Sequence, residues 1–229
     1  MQREHTGPEH LSELLGTLNK LSSGEEEDQT QKPEVLRESI EALARAGELR
    51  ETSASGHGDL VARYSQLIAR ALALSAEEMD DICFAARVHD VGKIFVPDRI
   101  LNKNGPLTDD EFYLVKLHPH VGAEILATIP KSEDLQKAVG HHHEAFDGTG
   151  YPDSLRGEQI PLWARILAVA DSYVNMTTDR PFAAPKSSEQ ALTELERLSG
   201  TRYDGMLVRV LARELKNERA ASSLGSEKS

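Results

Sequence analysis

Ser75-Ala76-Glu77-Glu78-Met79-Asp80-Asp81-Ile82-Cys83-Phe84-Ala85-Ala86-Arg87-Val88-His89-Asp90 opens like a helix and closes on two polar residues. Ser75 and Glu78 form a capping box, in which a serine hydroxyl and a glutamate three residues on serve each other's backbone amides. Ile82 to Val88 is apolar apart from Arg87. A histidine and a carboxylate then stand side by side at the end of a buried helix. Imidazole nitrogen plus carboxylate oxygen is a ligand mix for zinc, iron, manganese or nickel. On its own the pair also reads as a hydrogen-bonded His–Asp couple.

The same helical grammar continues outward. Leu60, Tyr64, Leu67, Ile68 and Ala71 recur at spacings of three and four between Asp59 and Leu74. Thr108-Asp109-Asp110-Glu111 is a second capping box, and its helix should end near His118, before Pro119. Further helices are expected over Val121–Ile129 and Glu133–His143, and from Pro161 to Thr177, then over roughly 188–198 and 204–219. No alternating strand pattern and no internal repeat is found. The fold class expected is all-α.

Residues 1–50 read as an additional N-terminal helical segment. Leu11, Leu14, Leu15, Leu18 and Leu21 define one amphipathic helix, and a second should run from Pro33 to about Ala46. Between them, Ser22-Ser23-Gly24-Glu25-Glu26-Glu27-Asp28 is a solvated acidic linker. This segment carries no chemistry and is expected to link, dock or dimerise. The main domain is placed at 51–219, and 220–229 should be a disordered tail.

The net charge of −12 argues against binding a nucleic-acid polymer, because no excess of basic side chains is present to displace counterions. It leaves room for a small anionic substrate, since metal ions supply positive charge locally. No apolar run approaches the roughly 20 residues of a membrane span, and Met1-Gln2-Arg3-Glu4-His5 leads into no signal region. A soluble, cytoplasmic protein is expected. Cys83 is the single cysteine, in an apolar setting that reads as a core thiol.

The remaining histidines are unevenly placed. His141-His142-His143-Glu144 ends a helix, and neighbours on a helix point about 100° apart. Two of the three could reach one site, although a surface cluster is the plainer alternative. Asp171 is more telling, because Leu167, Ala168 and Val174 share its face and an aspartate there needs a charge partner or a metal. Gly148-Thr149-Gly150-Tyr151-Pro152 reads by itself as a turn.

Together, these pieces resemble the HD-GYP family of metal-dependent phosphohydrolases, a subgroup of the HD superfamily. The resemblance runs from about His57 to Leu211. It rests on His57-Gly58-Asp59, His89-Asp90-Val91-Gly92-Lys93, Pro97-Asp98-Arg99-Ile100-Leu101-Asn102-Lys103, His118-Pro119-His120, His142-His143-Glu144, Asp147 to Pro152, Asp171 and Asp179-Arg180-Pro181. It implies an HD-type helical bundle with two divalent metals, iron or manganese, held by five histidines and two aspartates all borne on helices. One ion would take His57, His89 and Asp171, the other His118, His142 and His143, with Asp90 bridging. His120 and His141 would be bystanders.

The implied reaction is hydrolysis of cyclic di-GMP to linear pGpG or GMP, through a water shared by the two ions. Asp90 and Lys93 would be catalytic, and Lys93, Arg180, Gly150 and Tyr151 would contact substrate. Four departures stand out. Ser53 occupies the place of a glutamate that binds a third metal in some members, so two ions are expected. Ala145, Val174 and Ala183 replace an arginine, an aspartate and a basic residue, and Lys186 is a candidate substitute for the last. A full ligand set with a thinned substrate shell fits an enzyme, for cyclic di-GMP or for another nucleotide. It also fits a feeble adaptor docking a signalling protein through an exposed Gly150–Pro152 loop, and it allows a homodimer.

Overall fold

The computed structural model describes residues 8–23, 32–51, 56–179 and 184–226. Among them the chain is helical, with no strand and a lone bridge between Ser199 and Tyr203. The helices are α1 (Pro8–Ser23), α2 (Lys32–Glu48), α3 (His57–Ala71), α4 (Ala76–Val88), α5 (Asp98–Leu101), α6 (Asp109–Lys116), α7 (His118–Leu126), α8 (Glu133–Gly140), α9 (Leu162–Thr177), α10 (Ser188–Arg197) and α11 (Gly205–Ser226). Short 3₁₀ turns cover Val91–Phe95 and Gly157–Gln159.

Both predicted capping boxes form. The Glu78 amide donates to Ser75 Oγ at 3.2 Å while the Ser75 amide donates to Glu78 Oε2 at 2.8 Å, and Thr108 and Glu111 repeat the exchange. A third box, Ser187 with Gln190, opens α10.

Helix α3 lies at the hub, packed on α4, α9 and α11, while α7 packs on α8 and on the 91–95 turn. The core joins Ile68 of α3, Ile82 and Phe84 of α4, Ile125 and Leu126 of α7, and Ile166 and Leu167 of α9, all buried. Burial of such side chains stabilises by roughly 1.5–3 kcal/mol each. Leu36, Ile40 and Ala44 of α2 belong to the same core, as does Leu18 of α1. The division at residue 50 therefore crosses a continuous packing layer. At the other end α11 runs to Ser226, so the expected tail from 220 is helical over its first seven positions. No helix among the described residues is long and apolar enough to cross a membrane.

Candidate metal centre

The centre is built at helix ends rather than along helices. His57 is the first residue of α3, His118 the first of α7, and His89 caps the C-terminus of α4. Asp90 precedes the 91–95 turn, and His142 and His143 lie in the turn after α8. Only Asp171 sits inside a helix, α9. The physical reason is convergence. A helix end can be aimed at a point by its neighbours, whereas a helix flank presents a stripe.

Three buried rings are fixed the same way. His89 Nδ1 donates to the Ala86 carbonyl at 2.7 Å, His118 Nδ1 to Val115 at 2.7 Å, and His142 Nδ1 to Val139 at 2.6 Å. Each acceptor is the main-chain carbonyl three residues back. With the proton held on Nδ1, each Nε2 offers a lone pair to the centre.

Those lone pairs face other acceptors. His118 Nε2 lies 3.4 Å from His142 Nε2 and 3.1 Å from Asp90 Oδ1. His89 Nε2 lies 3.4 Å from Asp90 Oδ2 and 3.8 Å from Asp171 Oδ1, and His57 Nε2 lies 2.9 Å from that same oxygen. Imidazole nitrogens and carboxylate oxygens set this close need a positive charge between them, a proton or a metal ion. The donor set therefore fits metal ions.

Two groups of ligand atoms each fall within 4.8 Å of one another: Asp90, His118, His142 and His143 in one, and His57, His89 and Asp90 in the other. Asp90 is common to both. Asp171 adjoins the second through His57 and His89.

The electrostatics separate the two halves. Burial, with neighbouring His143, keeps His142 neutral well below the usual imidazole range, and burial with His118 pushes His143 down to about 3. Burial also opposes charge on His89, but Asp90 and Asp171 together outweigh it and lift the ring to about 9. Asp90 is depressed well below the carboxylate range, because Lys93 and His89 overcome its burial. Asp171 falls to about 2, burial being outweighed by the His57 hydrogen bond and the field of His89. The carboxylates thus favour positive charge on His89.

The bystanders are turned away. His141 is engaged outside the centre, with Nδ1 at 2.8 Å from the Lys137 carbonyl and Nε2 at 3.0 Å from Asp153. His120 is exposed and 3.3 Å from Glu124.

Lys93 does not stand free. Its Nζ is 2.7 Å from Asp90 Oδ2 and 3.2 Å from Glu51 Oε1. Glu51 belongs to a group that composition did not expose. Glu48 accepts the amides of Gly56 (3.0 Å) and Gly58 (2.8 Å), anchoring the start of α3. Arg50 donates to the carbonyls of Ile94 (2.8 Å) and Val96 (2.7 Å) and so braces the turn after Asp90. The signal available was the alternation Glu48-Leu49-Arg50-Glu51 directly ahead of His57.

Glu144 is a second such residue. It is buried, and its two oxygens accept the amides of Asp153 (2.7 Å) and Leu155 (3.1 Å), so it pegs the loop that carries Gly150 and Tyr151. A β-carbon on Gly150 would collide with the backbone of Glu144 and Ala145, which explains glycine there. Tyr151 is not exposed as expected. It stacks on His143 with centroids 5.0 Å apart, and burial, then Asp90, raises its hydroxyl to about 12. The loop's exposed residues include Thr149 and Pro152–Ser154, and the Tyr151–Pro152 bond is cis.

A cleft of about 650 Å³ opens beside His142, His143 and Asp171, walled by Tyr151, Gly150 and Ala145. Val174 is fully buried in the core, so its aliphatic character follows from its surroundings. Lys186 is exposed, with Nζ 3.9 Å from Met176 Sδ at the cleft edge. Arg180, Ala183 and Ser53 lie outside the described residues.

Fold and site together define an all-helical protein with a histidine–aspartate centre for divalent metal. The chain belongs to the HD-domain family, in its HD-GYP group, with residues 41–207 matching the family model. That match opens inside α2. The cyclic di-GMP phosphodiesterase response regulator RpfG of Xanthomonas campestris pv. campestris is 41% identical over 205 residues, covering 87% of this chain and 50% of that protein. The 3'3'-cGAMP-specific phosphodiesterase 2 of Vibrio cholerae is 34% identical over 180 residues, covering 78% and 34%. The chain thus spans half or less of these two relatives. A solved cyclic GMP-AMP-specific phosphodiesterase of V. cholerae superposes with a TM-score of 0.65 at 23% identity, over 82% of this chain and 50% of that one. It supports the fold.

Proposed function

We propose that the chain is a metal-dependent phosphodiesterase that opens cyclic di-GMP to linear pGpG, with GMP as the product of a second cut. The observation that carries this is Asp90, whose two oxygens face His118 on one side and His89 on the other. That arrangement suits a carboxylate shared by two divalent ions. One would be held by His57, His89 and Asp171, the other by His118, His142 and His143, and iron or manganese suits this mix of imidazole and carboxylate. Bound there, such ions lower the pKa of water and neutralise charge on a phosphodiester.

The chain's own groups do the positioning. Lys93 orients Asp90 through the 2.7 Å contact and places a positive charge beside it for an incoming phosphate. Asp90 stays ionised under the field of Lys93, so it binds as an anion throughout the neutral range. Tyr151 and Gly150 wall the cleft next to His143, where a ligand's base or sugar would rest. Arg180 is carried as a further substrate contact. A cytoplasmic setting accompanies this reading, since the free thiol of Cys83 suits a reducing compartment.

A mixed cyclic dinucleotide is the second substrate to try, because a relative 34% identical bears that specificity in its name. The test uses protein purified without oxygen and reloaded with Fe(II) or Mn(II), then incubated with cyclic di-GMP. Linear dinucleotide or GMP should appear, and should vanish in Asp90→Ala. No product with either metal, despite two bound ions per chain, would replace the enzyme with a metal-binding adaptor docking through the Gly150–Pro152 loop.

A further inference from the structure

The cleft next to the metal centre is lined by two further cations. Lys116 comes from the end of α6, and Arg202 from the connection between α10 and α11. Neither makes an ion pair with a carboxylate among the described residues. Lys116 Nζ instead lies over two rings, 4.6 Å from the Phe112 centroid and 5.4 Å from that of Tyr151. The Arg202 guanidinium lies 6.0 Å from the Tyr203 ring.

Carboxylates are not lacking in this cleft. Asp147 is taken by the Thr149 amide (3.0 Å) and hydroxyl (2.7 Å), and Glu144 by the two loop amides. A chain with net charge −12 has ample acidic groups to neutralise these two cations, yet no carboxylate among the described residues pairs with either. Ala145, which lines the same cavity, contributes no charge. The spacing is also informative. Lys116 sits one aromatic ring beyond His143, since Tyr151 stacks on His143 and Lys116 lies against Tyr151.

We infer that Lys116 and Arg202 bind the second phosphate of a two-phosphate substrate, the one not being cut, and so set the preference for cyclic dinucleotides. This rests on the cyclic-dinucleotide reading above. Arg202 donates from a fork that matches phosphate oxygens, and Lys116 supplies a point charge to the same cavity. Both are specificity-determining contacts, and the cleaved bond lies with the metal centre.

The test compares wild type, Arg202→Ala, Arg202→Lys and Lys116→Ala, all metal-loaded full chains, on two diesters. Cyclic di-GMP carries two phosphates and bis(p-nitrophenyl) phosphate carries one. For cyclic di-GMP, KM should rise about tenfold or more in each alanine variant, as expected on losing a charge-assisted contact, with kcat little changed. Arg202→Lys should recover part of the loss. KM for the one-phosphate diester should not move. Where cyclic di-GMP binds without turnover, the same comparison is read in Kd by equilibrium dialysis. Unchanged KM or Kd, or an equal loss on both diesters, overturns this inference alone. A wild type that cleaves the one-phosphate diester but neither cleaves nor binds cyclic dinucleotides overturns this inference and the substrate reading together.

Discussion

The two sides of the cleft are made differently. On the metal side, His89, His118 and His142 are almost wholly buried, and each ring is locked by a carbonyl three residues back. On the open side, α6 has no buried residue, and Phe112, Tyr113 and Leu114 are exposed. The contrast separates two requirements. Metal ligands need fixed tautomers and little freedom, so burial and backbone specify them. Substrate contacts need access, so they sit on lightly packed elements whose side chains can change without cost to the fold.

Substitutions on the two sides should therefore behave unlike each other. The largest effect is expected for Asp90→Ala, which removes the carboxylate common to both ligand groups. Metal content should fall by more than the roughly 10–100-fold in affinity that loss of an outer partner costs, and turnover should disappear with it.

Gly92→Ala comes next. Its β-carbon would collide with the His118 carbonyl and crowd the Gly122 amide, where the 91–95 turn meets α7. Overpacking of this kind costs roughly 1–3 kcal/mol. A thermal melt should shift down by about 3–10 °C, with metal content lowered because His118 is moved. A melt and metal content equal to wild type would blur the contrast drawn here.

Glu144→Ala strands two loop amides, a loss of roughly 1–3 kcal/mol. Hydrogen exchange at Asp153 and Leu155 should speed up while metal content stays unchanged. Phe112→Ala on the open side should change stability by no more than about 0.5 kcal/mol and act on KM alone. His120→Ala and His141→Ala should leave metal content unchanged, since both rings are engaged elsewhere.

Much of this was legible in the residues. Ser75 with Glu78 and Thr108 with Glu111 marked helix starts because a capping box is a local, reciprocal bond pattern. Asp171 was conspicuous because a carboxylate amid Leu167 and Val174 demands a partner, and His57 is that partner at 2.9 Å. Which two of His141, His142 and His143 face the centre was not local information. It depends on α8 ending at Gly140, after which the turn sends His141 to Asp153 and the others inward. The bracing by Glu48, Arg50 and Glu51 was equally hidden, because charged residues at a helix end read as solvated until tertiary packing supplies their partners. The cleft cations are hidden for a related reason: Lys116 and Arg202 are far apart in sequence, and only the fold brings both to one cavity.

The most direct measurement is the metal stoichiometry of the anaerobically loaded chain, by elemental analysis, for wild type and Asp90→Ala side by side. The shared-carboxylate arrangement predicts two divalent ions per wild-type chain and loss of both in the variant. One ion or none in the wild type, or two ions retained without Asp90, would contradict it.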